Sequence, residues 1–351
     1  MDTDTVLITG AAGWLGKGLA TALVQGLPEV PRLASPRGDL KIRCLVRPGE
    51  DTAYLSGLTD RIALVPGDVR NPDDCRRLCE GVRGAVLFHT AAVIHPNWSS
   101  EFDAVNHRGS RNVLEAAASA GVKRAVVVSS NSPIGCNPRP DRLFDEDAPY
   151  NPYMGYGRSK MRMELFVREL QASGRIETVV VRPPWFYGPH QPARQTLFFR
   201  MIRDGKGPIV GGGENRRSMA YIDNLSQGLL LAAITPEAVG RTYWIADARP
   251  YTMNEIIDTV ERLLEKEFGQ TCVHKRMRLP GIASKVAYAA DGLIQGVGLY
   301  NQKVHVLSEM NKTIACDIGR ARRELGYDPK VELEEGMRRS LKWCFERGMM
   351  P

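Results

Sequence analysis

Tyr156 and Lys160 stand four residues apart in Tyr156-Gly-Arg-Ser-Lys160, and the chain from Met161 to Leu170 is rich in Met, Leu, Glu and Arg without a breaker. That stretch predicts a helix. If the helix already includes Tyr156, the phenol and the ammonium lie on one face. A fixed positive charge favours the phenolate, so a lowered Tyr156 pKa is expected, from ~10 toward the range where the group can give or take a proton. Such a pair is a proton-transfer device. Taken alone, a Tyr and a Lys at this spacing are more often a surface contact, so the elements around them must decide.

Val6-Leu-Ile-Thr-Gly reads as a buried strand. Gly10, Gly13 and Gly16 follow at three-residue spacing, and Leu15 to Leu27 reads as a helix. Strand, glycine-rich turn and helix form the context of a dinucleotide fingerprint, in which backbone approaches a pyrophosphate at a helix N-terminus. The spacing is GxxGxxG rather than GxGxxG. Further strands are expected at Lys41–Val46, Ile62–Pro66, Ala85–His89, Ala125–Val128 and Thr178–Val181, with helices at Pro72–Glu80 and Phe102–Ala120. This alternation predicts an α/β fold, a doubly wound parallel sheet of the Rossmann type. Gly10, Arg47, Asp68, His89, Ser130 and Arg182 all fall at predicted C-terminal strand ends, where ligands of such sheets bind. Arg47 follows the second strand, where an acid would grip a ribose hydroxyl and an Arg accommodates a 2′-phosphate. NADP(H) is therefore the expected cofactor, with NAD(H) as the alternative.

After Pro183 the rhythm breaks. Residues 1–183 read as the nucleotide-binding domain, and residues 184–351 mainly as a smaller C-terminal substrate lobe with segments passing back. The apolar but interrupted stretch from Pro280 to Tyr300 reads as a lid suited to an apolar substrate, as packed core or as a segment grazing a membrane, with packed core ahead of membrane contact.

The 351 residues are 43% hydrophobic and 25% charged with a net charge of +7, an ordinary globular profile. The positive charges are spread and not interleaved with aromatics, so a nucleic-acid partner is not expected. The seven cysteines are scattered without a CxxC pair, so no metal site is expected and reduced thiols are. No apolar run is long enough to span a membrane, and the first strand follows Met1 too closely for a signal peptide. A cytoplasmic location is the expectation.

Thr9-Gly10-Ala-Ala-Gly13-Trp-Leu-Gly16, Gly67-Asp68-Val69, His89-Thr-Ala91-Ala92, Asn106-His-Arg-Gly109-Ser-Arg-Asn112, Ser129-Ser130, Tyr156-Gly-Arg-Ser159-Lys160, Arg182-Pro183 and Tyr221-Ile-Asp223 occur in this order. Together they resemble the extended short-chain dehydrogenase/reductase family over nearly the whole chain. The resemblance implies that Gly10, Gly13, Trp14, Leu15 and Gly16 hold the cofactor pyrophosphate. It puts Asp68 and Val69 at the adenine, Ala91 and Ala92 on the ribose side, and Pro183 beside the nicotinamide. Tyr156 would be the general acid/base, Lys160 would bind the nicotinamide ribose, and Ser130 would hydrogen-bond the reacting oxygen, with Ser132 as fallback. Asn106 would be structural or part of a proton relay. Tyr187 and Arg217 would join Ser130 and Ser132 on the substrate side, and a homodimer would be usual.

The substrate branch stays open. His89-Thr-Ala-Ala-Val-Ile and the C-terminal layout resemble the 3β-hydroxysteroid and sterol-4α-carboxylate dehydrogenases. Arg217-Ser-Met-Ala-Tyr221-Ile-Asp223 resembles the nucleotide-sugar epimerases and dehydratases, with Ser218 in place of their usual acid. A non-catalytic NADP sensor is the third possibility, although such proteins usually lose the Tyr or Lys present here.

Overall fold

The computed structural model describes residues 3–350. Six strands alternate with helices through the first half: β1 (Thr5–Thr9), β2 (Lys41–Val46), β3 (Ile62–Pro66), β4 (Val86–His89), β5 (Arg124–Val128) and β6 (Glu177–Arg182). A seventh, Thr242–Trp244, returns from the second half to pair with β6. All pair in parallel, in the order Thr242–Trp244, β6, β5, β4, β1, β2, β3. The strands are continuous apolar runs because both faces are covered. Val6, Ile8, Ile42, Cys44, Phe88 and Val126 pack on one face, and Leu7, Leu45, Leu87, Ala125 and Val127 on the other.

Helix α1 (Trp14–Gln25) buries Leu15, Leu19 and Leu23 against the first face. The short helices α2 (Ala53–Leu58) and α3 (Pro72–Leu78) follow β2 and β3. Helices α4 (Ser110–Ser119) and α5 (Met154–Ala172) supply Val113, Leu114, Met163, Val167 and Leu170 to the second face. The expected helix Phe102–Ala120 is not uniform. Phe102–Gly109 is wound as a π-helix and only Ser110 onward is α-helical, a local widening that often accompanies functional sites.

Beyond β6 come α6 (Ala193–Arg203), α7 (Ile222–Ile234), α8 (Met253–Lys266), α9 (Ile282–Gly296) and α10 (Gln302–Glu309), with short two-stranded pairs between them. Helix α7 is buried nearly all round, beside α1. The Pro280–Tyr300 stretch does not form packed core. Ile282, Val286 and Leu293 of α9, and Val297 just past it, are 63–75% exposed.

The chain winds from β1 outward to β3, then crosses to β4 on the other side of β1. A crevice therefore opens beyond the C-terminal ends of β1 and β4.

Candidate active site

Gly10 follows β1 with φ of +72°, and a Cβ there would lie 2.7 Å from the backbone nitrogen of Ala91, just past β4. Only glycine lets the two strand ends approach so closely. A Cβ on Gly16 would meet the Gly10 carbonyl at 2.2 Å, whereas Gly13 is exposed and its amide closes the turn onto the Gly10 carbonyl at 3.0 Å. Helix α1 starts here with no side-chain cap among the described residues and no acid in its first turn. Its amides and positive dipole end are left for an anion such as a pyrophosphate. The residues present therefore fit a dinucleotide. Leu15 and Val69 both bury their side chains in the core. Trp14 gives its indole N–H to the Pro189 carbonyl at 2.7 Å and packs on Phe186, tying the turn to the chain after β6. Ala91 and Ala92 line the rim between β1 and β4, with Ala92 exposed.

Just past β3, Asp68 is bound bidentately by Arg70, which holds its carboxyl below the usual range with further help from Arg47. Arg47 is exposed at the end of β2 and pairs with Glu50 at 2.9 Å.

Helix α5 does begin before Tyr156, so Tyr156 and Lys160 share a face. Their electrostatics differ from the expectation. The Lys160 Nζ donates to the Val128 carbonyl at 2.9 Å and exerts no resolved pull on Tyr156. Burial instead pushes the phenol up to about 12, opposed by the Ser130 hydroxyl and reinforced by Glu309. Burial likewise pushes Lys160 down to about 8, offset in part by Glu164. Ser130 also sits 3.4 Å from Ser132, and both are buried at the end of β5. Pro183 is buried where β6 ends.

Asn106 is fully engaged. Its Oδ1 accepts from Val93 N–H at 2.8 Å, and its Nδ2 donates to the Val93 carbonyl and to the Ser159 hydroxyl. It fastens the π-helix and the β4 loop to α5, and no donor is left over for a proton relay. His89 is similarly structural. Ser110 donates to the Asn106 carbonyl, so its oxygen accepts from His89 Nε2–H, and His89 Nδ1 accepts from Thr9. Burial drives its pKa to about 3, so the ring is neutral.

One residue expected at the substrate is displaced from it. Tyr187 is wholly buried, donates to Asp247 at 2.8 Å and packs against Tyr221. It is a core residue with no face toward the crevice. Arg217 is buried too, with Nη2 donating to the Glu309 carbonyl and Nε lacking a partner.

Other residues complete the site without having been singled out in the sequence. Glu164 of α5 receives Arg182 bidentately at 2.7 and 3.0 Å, with Ser129 and Tyr150 completing its shell. Both ions are 1% exposed. From the lobe, Gln295 of α9 accepts from Gly155 N–H at 2.9 Å and donates to Asp291. Asp291 in turn binds His305 of α10 at 2.7 Å. Tyr300 hydrogen-bonds His95 and stacks edge-on against Phe102, whose ring lies 6.0 Å from that of Tyr156. The lobe thus seats directly on the turn that presents Tyr156.

The description "NAD dependent epimerase/dehydratase family" fits a sequence model that matches residues 6–246. The chain belongs to this family. It is 52% identical to the protein y4nL of Sinorhizobium fredii, over 99% of this chain and 97% of that one. It is 27% identical to 3beta-hydroxysteroid-dehydrogenase/decarboxylase isoform 1 of Arabidopsis thaliana, over 95% of this chain and 78% of the relative. Among solved structures, DesIV of Streptomyces venezuelae, a dTDP-glucose 4,6-dehydratase with NAD and TYD bound, superposes with a TM-score of 0.76 at 24% identity, covering 98% of each chain. Family membership makes this protein an extended short-chain dehydrogenase/reductase, and the parallel sheet with its β1/β4 crevice is that family's fold.

Proposed function

We propose that this family member is an NADP(H)-linked oxidoreductase that interconverts a hydroxyl and a carbonyl on a sterol- or steroid-like, or related alicyclic, substrate. The carrying observation is the grouping of Tyr156, Ser130 and Lys160 beyond β5, across the crevice from the glycine turn. When bound, the nicotinamide supplies the hydride. A phenol with its pKa near 12 is protonated at neutral pH, the state that can hand a proton to a forming alkoxide. The Ser130 hydroxyl is a positioned donor for the same oxygen. Lys160 gives one N–H to the Val128 carbonyl and another to the Met163 sulfur, which leaves one for a ribose hydroxyl. The aromatic wall of Phe102 and Tyr300 and the Arabidopsis relative favour an apolar alicyclic substrate. The exposed Arg47 guanidinium favours the 2′-phosphate of NADP.

A second reading, a nucleotide-sugar epimerase or dehydratase with retained NAD, is favoured by one observation: the buried Arg217 Nε has no partner and could serve a phosphate. Substitution tests the main reading. Tyr156→Phe and Lys160→Ala are each expected to lower kcat at least about tenfold with NADPH binding and the melting curve retained. Near-normal turnover in either would remove the mechanism, and a Tyr156→Phe protein with full cellular activity would indicate a sensor.

A further inference from the structure

Helix α9 is amphipathic in the wrong sense for a globular protein. Its inward face carries Ser284, Asp291 and Gln295, all buried and hydrogen-bonded. Its outward face carries Ile282, Val286 and Leu293, with Val297 just past its end continuing the i, i+4, i+11, i+15 spacing, exposed by 66, 63, 75 and 75% in turn. Leu299 and Trp98, bridged to each other beside the helix, extend the patch at 44 and 58% exposure. An apolar area of this kind marks an interaction surface.

Charge indicates the occupant. From Met277 to Ser308 the only acid is Asp291, which is fully buried against His305. The cations Arg278, Lys285 and Lys303 are all exposed. Glu101, near Trp98, is turned to the Trp98 backbone amide. A two-fold contact between copies of this chain would bring like charges together. An anionic bilayer surface would attract them while taking up the apolar side chains. No described helix is long and apolar enough to cross a membrane, so contact would be peripheral.

We propose that the outward face of α9, with Leu299 and Trp98, docks this protein on an anionic lipid surface. The docked edge adjoins Tyr300 and Phe102, which wall the Tyr156 site, so the crevice opens near the lipid. The proposal concerns binding and stands whether or not the oxidoreductase reading does.

Co-sedimentation of the full chain with vesicles tests it. Wild type is expected to bind phosphatidylcholine vesicles containing phosphatidylglycerol at least about tenfold better than phosphatidylcholine alone, because the cations contribute at an anionic surface. Leu293→Glu with Val297→Glu is expected to abolish binding while leaving the melting curve and NADPH affinity unchanged. Lys285→Glu with Lys303→Glu is expected to weaken binding to the anionic vesicles, as is added salt. Wild type remaining in the supernatant, or the variants binding as wild type does, would overturn the proposal. A dimer seen by light scattering and split by the Leu293/Val297 variant, without vesicle binding, would assign the face to a second copy and overturn it as well.

Discussion

Tyr156 and Lys160 are both buried, and burial moves their pKa values apart, the phenol up to about 12 and the ammonium down to about 8. The ammonium of Lys160 is complete below about 8 and lost above it, so reductive kcat/KM is expected to fall as pH rises through that value. A pH–rate profile checks this, and a flat response to pH 10 would remove Lys160's charge from the mechanism. Arg47 is the residue on which cofactor choice rests. Arg47→Asp is expected to invert the ratio of NADP to NAD affinities, measured by titration of the two cofactors, because an acid repels the 2′-phosphate. Of the site residues, the glycine turn and the Tyr–Lys pair were legible because their spacing carries the geometry. The pKa direction of Tyr156 was not, since spacing says nothing of how deeply a phenol is buried or where a flexible lysine points. Tyr187 misled for a related reason: it lies on a short strand after β6, and sequence does not say which side of such a strand faces the crevice.

At the scale of elements, α5 is held in register by the Glu164–Arg182 pair between helix and β6, and its N-terminal turn by Gln295 from α9. Removing one member of a buried pair leaves the other charge uncompensated. Glu164→Ala is therefore expected to destabilise the protein by about 3 kcal/mol or more, read as a lower urea midpoint, with Glu164→Gln less affected because it keeps the acceptor for Ser129 and Tyr150. The parallel strands were readable as continuous apolar runs, as two-face burial requires. The π-helical turn at Phe102–Gly109 was not, because its composition is that of an ordinary helix. It arises where Asn106 locks Val93 and Ser159 together. Helix α9 was unreadable for the opposite reason: an apolar face turned outward has the same periodicity as one turned inward.

Across the whole molecule, the sheet order brings Gly10, Asp68, Ser130 and Pro183 to one edge, and the second half closes over it through Gln295, Tyr300 and His305. Convergence of strand ends could be anticipated from the alternation of elements. The way the lobe seats on them could not, because it depends on pairs such as His95–Tyr300, 205 residues apart. The central claim is a net, NADP(H)-linked redox reaction rather than a cofactor-recycling one. The purified protein can be denatured and the nicotinamide it releases identified and counted. The account predicts little retained cofactor and reversible uptake of NADPH. Near-stoichiometric, tightly held NAD would contradict it, favour the epimerase or dehydratase reading, and remove Arg47 as the selector.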